Sequence, residues 1–323
     1  MASISQSLRS VLERAQKQDS LGKLINEALV LIESVIDILG EQAVAISFNG
    51  GKDCTVLLHI YAAVLYARHT PSLPSHLLPK PSPSITIPPL PSHTPQEPLI
   101  PQPTLPPSLP ACTPPPITPP TTHPSPHTPH PHSTHHHPPP HLPYPPIRSI
   151  YITAPNPFAE LDTFVISSTK LYGLDLYRFG GGMKAALEDW LGCGGGRGVK
   201  SVLVGTRQGD PNDACAPAVD IIAPTDPSWP QFIRVHPILH WTYSDVWQFL
   251  LELQVPYCVL YDQGYTSLGS TTNTLPNPLL KNESVVGGWE PAHRPKNVPE
   301  GIEKAVYAKR RDTWDNSNHT VAS

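Results

Sequence analysis

Cysteine is scarce in this chain: five stand in 323 residues, at 54, 112, 193, 215 and 258. An odd number without Cys-x-x-Cys spacing argues against a disulfide framework and against a thiolate zinc site, so they read as reduced thiols. Long apolar runs are missing too. None approaches the roughly 18 residues that a membrane span needs, and the start, Met-Ala-Ser-Ile-Ser-Gln-Ser-Leu-Arg, has no signal-peptide hydrophobic region. The expectation is a soluble, cytoplasmic protein with no membrane partner. There is no basic block and the formal net charge is −4, which removes the electrostatic footprint of a nucleic-acid surface.

Proline, by contrast, is abundant and unevenly spread. Of 44 prolines, 30 lie between Thr70 and Pro146, with Ser, Thr and a tract of His130, His132, His135, His136 and His137. Missing backbone donors forbid helix and sheet there, and no apolar periodicity offers a core. Extended, polyproline-like conformers are expected, with weak metal binding by the His tract the less favoured reading. A strand pattern resumes immediately afterwards at Arg148-Ser149-Ile150-Tyr151-Ile152-Thr153. Residues 69–146 therefore read as a disordered insertion within one domain made of 1–68 and 147–294, and 295–323 as an irregular tail. An intron translated as protein is the competing reading of the insertion.

The folded remainder alternates strands and helices. Residues 21–39 carry apolar side chains at three- and four-residue steps and end at Gly40, an amphipathic helix. A strand at 43–48 runs into a turn and then a helix from about Asp53 to Ala67. Further on come helix 157–171 with Pro157 in its first turn, strand 174–179, helix 183–191 and strand 201–205. Thr242 or Ser244 caps a later helix, whose Val246, Trp247, Leu250 and Leu251 face inward. This alternation predicts an α/β fold, a mostly parallel sheet with helices on both faces and ligands beyond the carboxyl ends of its strands.

The turn, Ser47-Phe48-Asn49-Gly50-Gly51-Lys52-Asp53, is the most informative stretch. Two glycines without Cβ atoms let backbone N–H groups approach an anion, and the helix that follows aims its positive end there. Lys52 adds a charge and Asp53 a candidate Mg²⁺ ligand. A Walker A loop is excluded, since Gly-x-x-x-x-Gly-Lys-Ser/Thr fits in no register. A Gly-Gly turn that binds nothing is the plain alternative. Cys54, in the first turn of the helix, is either a reactive thiol or simple packing.

The turn resembles the pyrophosphate-binding PP-loop of the N-type ATP pyrophosphatases. Within them, Ser47 to Cys54 is similar to the fungal-type FAD synthases, the FMN adenylyltransferases. Further segments carry the same resemblance: Gly205-Thr206-Arg207-Gln208-Gly209-Asp210-Pro211, Thr225-Asp226-Pro227-Ser228-Trp229-Pro230, His236 to Trp247, Tyr261-Asp262-Gln263-Gly264-Tyr265-Thr266-Ser267-Leu268-Gly269 and Asn273 to Pro278. The resemblance implies the adenine nucleotide alpha hydrolase-like fold and adenylyl transfer from MgATP to FMN, giving FAD and pyrophosphate. It implies that Ser47, Phe48, Asn49, Gly50, Gly51 and Lys52 hold ATP and pyrophosphate. Asn49 and Asp53 would hold Mg²⁺. Asn49, Lys52, Asp53 and Asp226 would serve catalysis, and Arg207, Asp210, Trp229 and Arg234 the flavin. Blander readings stand beside these: a surface Arg207–Asp210 pair, a Trp229 packed on the protein's own core, an Asp226-Pro227 turn, and residues 232–247 as scaffold.

One departure is expected to matter. After Trp289-Glu290-Pro291-Ala292-His293-Arg294 the family pattern calls for a Glu-Arg-x-Gly-Arg motif, and Arg310-Arg311 is no replacement. Two further readings follow: a catalytically impaired flavin- or nucleotide-binding homologue, and an adenylyl-sulfate reductase on the same fold. The reductase needs a redox-active cysteine near its carboxyl end, whereas the last cysteine here is Cys258.

Overall fold

The computed structural model describes residues 3–90, 142–208 and 220–294; most of the proline-rich segment, Asp210 and the tail lie outside the described residues. Six strands form one sheet: β1 (Val44–Ser47), β2 (Ile147–Ile152), β3 (Leu174–Phe179), β4 (Ser201–Leu203), β5 (Ile222–Pro224) and β6 (Ile233–Val235). Their order is β3-β2-β1-β4-β6-β5, parallel throughout except for the β5–β6 pair. The chain steps outward from β1 to β3 and then returns to the other side of β1 with β4. That reversal makes the gap between the carboxyl ends of β1 and β4 the switch point, where open α/β sheets bind ligands.

Strand alternation sorts the core into two layers. Val44, Ile46, Tyr151, Leu203, Ile233 and Val235 join the main core. On that side lie α1 (Ile4–Arg14), α2 (Ser20–Leu39), α3 (Lys52–Arg68), α4 (Ala159–Tyr172) and α6 (Tyr243–Glu252), each contributing buried side chains to the same cluster. Ala45, Ile150, Val202 and Phe232 point to the opposite face, where α5 (Met183–Gly192) brings Leu187 and Trp190. Among the described residues α5 is the only helix in that smaller cluster, so much of this face is left to other cover. Helix α3 is apolar all round and nearly every residue of it is buried, as a helix in the middle of a layer must be.

Most of the predicted elements lie within a residue or two of the expectation. Thr242, not Ser244, caps α6: it accepts from the Asp245 N–H, and the Asp245 carboxylate accepts from the Thr242 N–H at 2.8 Å, a capping box. Pro157 falls before α4, in a bridge to Ser270. Helix α1 and the β5–β6 pair were not foreseen. Nor was the order of residues 70–90, which the proline count had placed with a segment unable to fold. Leu73 and Leu77 are buried in the main core, Ile85, Ile87 and Leu90 pack against it, and the Ser82 N–H donates to Ser34 Oγ on α2 at 2.8 Å. Tyr144, just before β2, is likewise buried. Isolated apolar side chains between prolines show no period, yet they can still cover a helix such as α2, which is hydrophobic well beyond one stripe.

Helix α1 is tied down by polar contacts as well as by Leu8, Val11 and Leu12. Arg14 reaches Asp19 at 2.8 Å and Glu252 at 2.6 Å, and Ser7 Oγ meets His59 Nε2 at 3.2 Å while His59 Nδ1 meets the Tyr172 hydroxyl at 2.8 Å. Burial pushes the His59 pKa down to about 3, so the ring is held neutral. Once unfolded, the same ring takes up a proton below its ordinary 6.5. Stability from this group is therefore complete above pH 6.5 and falls toward pH 3, by about 1.4 kcal/mol per pH unit. Urea unfolding followed between pH 7 and pH 4, with His59→Gln for comparison, should show a shallower pH dependence in the variant.

No helix among the described residues is long and apolar enough to cross a membrane.

Candidate active site

The turn between β1 and α3 is braced from inside. The Phe48 N–H still belongs to the sheet, donating to Ile150 O at 2.9 Å, and its side chain is fully buried. Asn49 folds back so that its Oδ1 accepts from the Gly51 N–H at 2.9 Å and from the Cys54 thiol. The Lys52 N–H, the first of α3, donates to the Tyr261 hydroxyl at 2.8 Å. Three amides expected to grip an anion, those of Phe48, Gly51 and Lys52, thus have partners inside the protein. Gly50 has a φ of +76°, and a Cβ there would lie 2.8 Å from both Leu161 Cδ1 and Val165 Cγ2, so glycine is required twice over. Cys54 is buried, which pushes its pKa up to about 11; that favours packing over a reactive thiol.

Beneath the turn sits a compact charge cluster. Lys52 Nζ, 2% exposed, lies 3.0 Å from Asp53 Oδ2 and 3.2 Å from Thr266 O, facing the Tyr243 ring at 5.2 Å and the Tyr261 ring at 6.0 Å. Arg207 Nε, from the segment after β4, donates to Asp53 Oδ1 at 2.6 Å with its side chain 5% exposed. Burial alone would raise the Asp53 pKa, but the charges of Lys52 and Arg207 outweigh it and hold the carboxyl ionised, below the usual range. Gly205 lets the two segments meet: a Cβ there would be 2.9 Å from the Cys54 backbone nitrogen. Among the described residues, two cations share the Asp53 carboxylate directly behind the turn.

Asn49 and Asp53 do not fit a protein-held magnesium ion in this arrangement. Each carboxylate oxygen of Asp53 already receives a cation, and Asn49 Oδ1 already accepts two hydrogen bonds. A divalent ion at Asp53 would also face Lys52 and Arg207 at close range. Among the described residues no cluster of three His, Cys, Asp or Glu side chains offers a metal site elsewhere.

A cleft of about 680 Å³ opens from this turn across the α5 face of the sheet. Ser47, Asn49, Gly51, Lys52 and Asp53 line one end, while Thr225, Asp226, Trp229 and Arg234 line another part. Ile150, Ile152, Leu187, Val202, Val204 and Phe232 supply an apolar floor. The volume lies within the range of small-molecule sites, and a lining that combines apolar and charged side chains suits an aromatic ligand with charged groups. Trp229 is half-buried and packs on the cluster around Trp190, so part of its ring serves the protein's own core. Asp226 is exposed and accepts from the Ser228 N–H at 2.9 Å and hydroxyl at 2.7 Å, bonds that lower its pKa and make the turn its Asp-Pro sequence suggested. Arg234 donates to Pro224 O at 3.3 Å, while its Nε is buried without a partner among the described residues.

The sequence-derived set therefore divides. Ser47, Asn49, Gly51, Lys52, Asp53, Asp226, Trp229 and Arg234 come together around one cleft. Phe48 and Gly50 shape the turn from behind, Arg207 is turned onto Asp53, and Asp210 lies outside the described residues. Sequence reasoning gave no role to Tyr261 or Thr266, which hold Lys52, nor to Thr206, Met183 and Leu187 in the cleft wall. The Tyr261 to Gly269 segment had been singled out, but only for its likeness to a family stretch.

Residues 196–276 match the phosphoadenosine phosphosulfate reductase domain family. The chain is 30% identical over 281 residues to a protein named probable FAD synthase from Caenorhabditis elegans, covering 85% of this chain and 39% of that protein. It is 37% identical over 144 residues to the probable FAD synthase of Schizosaccharomyces pombe, covering 45% and 52%. The match thus spans about half or less of these curated relatives' length. Among solved structures, Candida glabrata FMN adenylyltransferase in complex with FMN and an ATP analogue aligns with a TM-score of 0.58 at 21% identity, over 96% of this chain and 91% of that one. At that identity the likeness establishes the fold.

Proposed function

We propose that this chain is a fungal-type FAD synthase, an FMN adenylyltransferase. In the reaction a phosphate oxygen of FMN attacks the α-phosphorus of ATP. The bond from that phosphorus to the α,β-bridging oxygen breaks, AMP passes to FMN to give FAD, and pyrophosphate leaves with the bond's electron pair. The observation that carries this reading is one cleft lined both by the glycine turn and by Asp226, Trp229 and Arg234. A glycine turn backed by Lys52 and Arg207 suits departing pyrophosphate, and an apolar floor edged by Asp226, Trp229 and Arg234 suits a flavin phosphate.

Little covalent work falls to the protein in such a transfer, so positioning and electrostatics supply the rate. Ser47, Asn49, Gly50 and Gly51 shape the anion cradle, and Lys52 and Arg207 stabilise negative charge from behind it through a low-dielectric layer. Arg234 is assigned to the FMN phosphate and Trp229 to the isoalloxazine ring. Asp226 orients the margin between them, and Asp210 is retained as an acceptor for the flavin ring N–H. We place the reaction in the cytoplasm.

Purified protein given FMN and MgATP should form FAD and pyrophosphate in equal amounts. Binding of FMN or ATP without FAD formation would instead support the impaired-homologue reading. Trp229→Ala should weaken FMN binding about 10-fold, the loss of roughly 1.4 kcal/mol of stacking and burial, with the KM for ATP little changed. Titration by flavin fluorescence reads this directly, and equal FMN affinity in the variant would return Trp229 to a packing role.

A further inference from the structure

The Tyr261 hydroxyl makes one interaction where it has capacity for more. It accepts the Lys52 N–H at 2.8 Å, yet its own O–H has no acceptor among the described residues, although the residue is only 1% exposed. A buried hydroxyl with an unspent donor is costly unless something receives it. The hydroxyl oxygen lies 3.8 Å from where a Cβ of Gly51 would stand, beside the turn, and Tyr261 lines the cleft. The donor thus sits where the anion cradle opens.

The side chain is held firmly. Its ring meets the Trp247 ring edge-on at 5.4 Å and the Tyr257 ring at 6.4 Å, and its backbone carbonyl accepts the Ala292 N–H at 2.8 Å. Burial, with Lys52 opposing, raises its pKa well above 10, which keeps the phenol protonated and able to donate throughout the physiological range. The N–H bond from Lys52 polarises the same oxygen, so the two bonds would reinforce each other.

We propose that Tyr261 is a catalytic residue whose O–H donates to a phosphate oxygen of ATP in the turn, and to pyrophosphate as it departs. The inference rests on the assignment of the turn to pyrophosphate. It supplies a neutral hydrogen-bond donor beside Lys52 and Arg207, each of which meets Asp53. No bond to Tyr261 forms or breaks; its hydrogen bond shortens as charge develops on the leaving oxygens.

Calorimetric titration with inorganic pyrophosphate tests this in the full chain, beside Tyr261→Phe and the control Tyr257→Phe, which touches the same ring but not the turn. Tyr261→Phe should bind pyrophosphate about 10-fold more weakly, with FMN affinity unchanged, and lower kcat by roughly 10-fold to 10²-fold; Tyr257→Phe should match wild type. Equal pyrophosphate affinity in Tyr261→Phe overturns the inference alone. Failure of the wild-type protein to bind pyrophosphate overturns the assignment of the turn and the inference with it. Should Tyr261→Phe not fold, wild-type protein labelled with ¹³C at Tyr261 Cζ gives a second readout. Pyrophosphate should shift that resonance, and an unmoved signal at saturation rejects the hydrogen bond.

Discussion

Asp53→Asn is expected to slow FAD formation by roughly 10²-fold to 10³-fold and to destabilise the fold by about 3 kcal/mol. The substitution keeps shape and removes one charge. In the native protein that charge receives Lys52 at 3.0 Å and Arg207 at 2.6 Å, both almost wholly shielded from water. Without it two cations face each other in a low-dielectric layer, and each must be solvated, displaced or deprotonated. Loss of stability and loss of rate should therefore appear together in one variant, unlike the effect of a residue that only touches substrate. The carboxyl's pKa is held below 3.8 in the folded protein, so its contribution is present above that pH and lost as pH falls through the folded value. Urea unfolding beside a turnover assay reads both effects, and an Asp53→Asn protein with wild-type stability would show that the cluster does not hold the turn.

Lys52→Ala should lower turnover by at least about 10³-fold, and Lys52→Arg should not restore it. The ammonium occupies a pocket closed by Thr266 O, the Asp53 carboxylate and the rings of Tyr243 and Tyr261. A compact point charge fits there; a planar guanidinium would push the Tyr261 ring from the Lys52 N–H. Had Lys52 reached outward to grip a phosphate, arginine would serve as well or better, since its fork matches phosphate oxygens. Rescue by arginine, measured as kcat at saturating ATP, would contradict a role that depends on a compact ammonium held by Asp53 and Thr266 O.

Much of this was legible in the chain. The 3.6-residue rhythm of α2, the short apolar β1, the glycine turn and the inward stripe of α6 are local signals, and each gave its element within a residue or two. The turn announced itself because glycine, amide and charge types coincide at a strand-to-helix junction. What stayed hidden depends on distant partners. That Lys52 points inward is decided by Thr266 and Tyr261, more than 200 residues away, and Arg207 meets Asp53 through a contact spanning 154 positions. The β5–β6 pair is three residues long on each side and contains Pro224 at the sheet edge, too short for a period of two to register. Residues 70–90 misled for the opposite reason: composition reports how often a segment can pair its backbone, not whether a few of its side chains find a groove.

The central claim is that AMP passes from ATP to FMN while the β- and γ-phosphates leave as pyrophosphate. Parallel reactions of the protein with FMN and ATP labelled at either the α- or the γ-phosphorus test it most directly. The account predicts α-label in FAD and γ-label in released pyrophosphate. Label from the γ-position in the flavin product, or α-label recovered as free AMP with FMN unchanged, would contradict it.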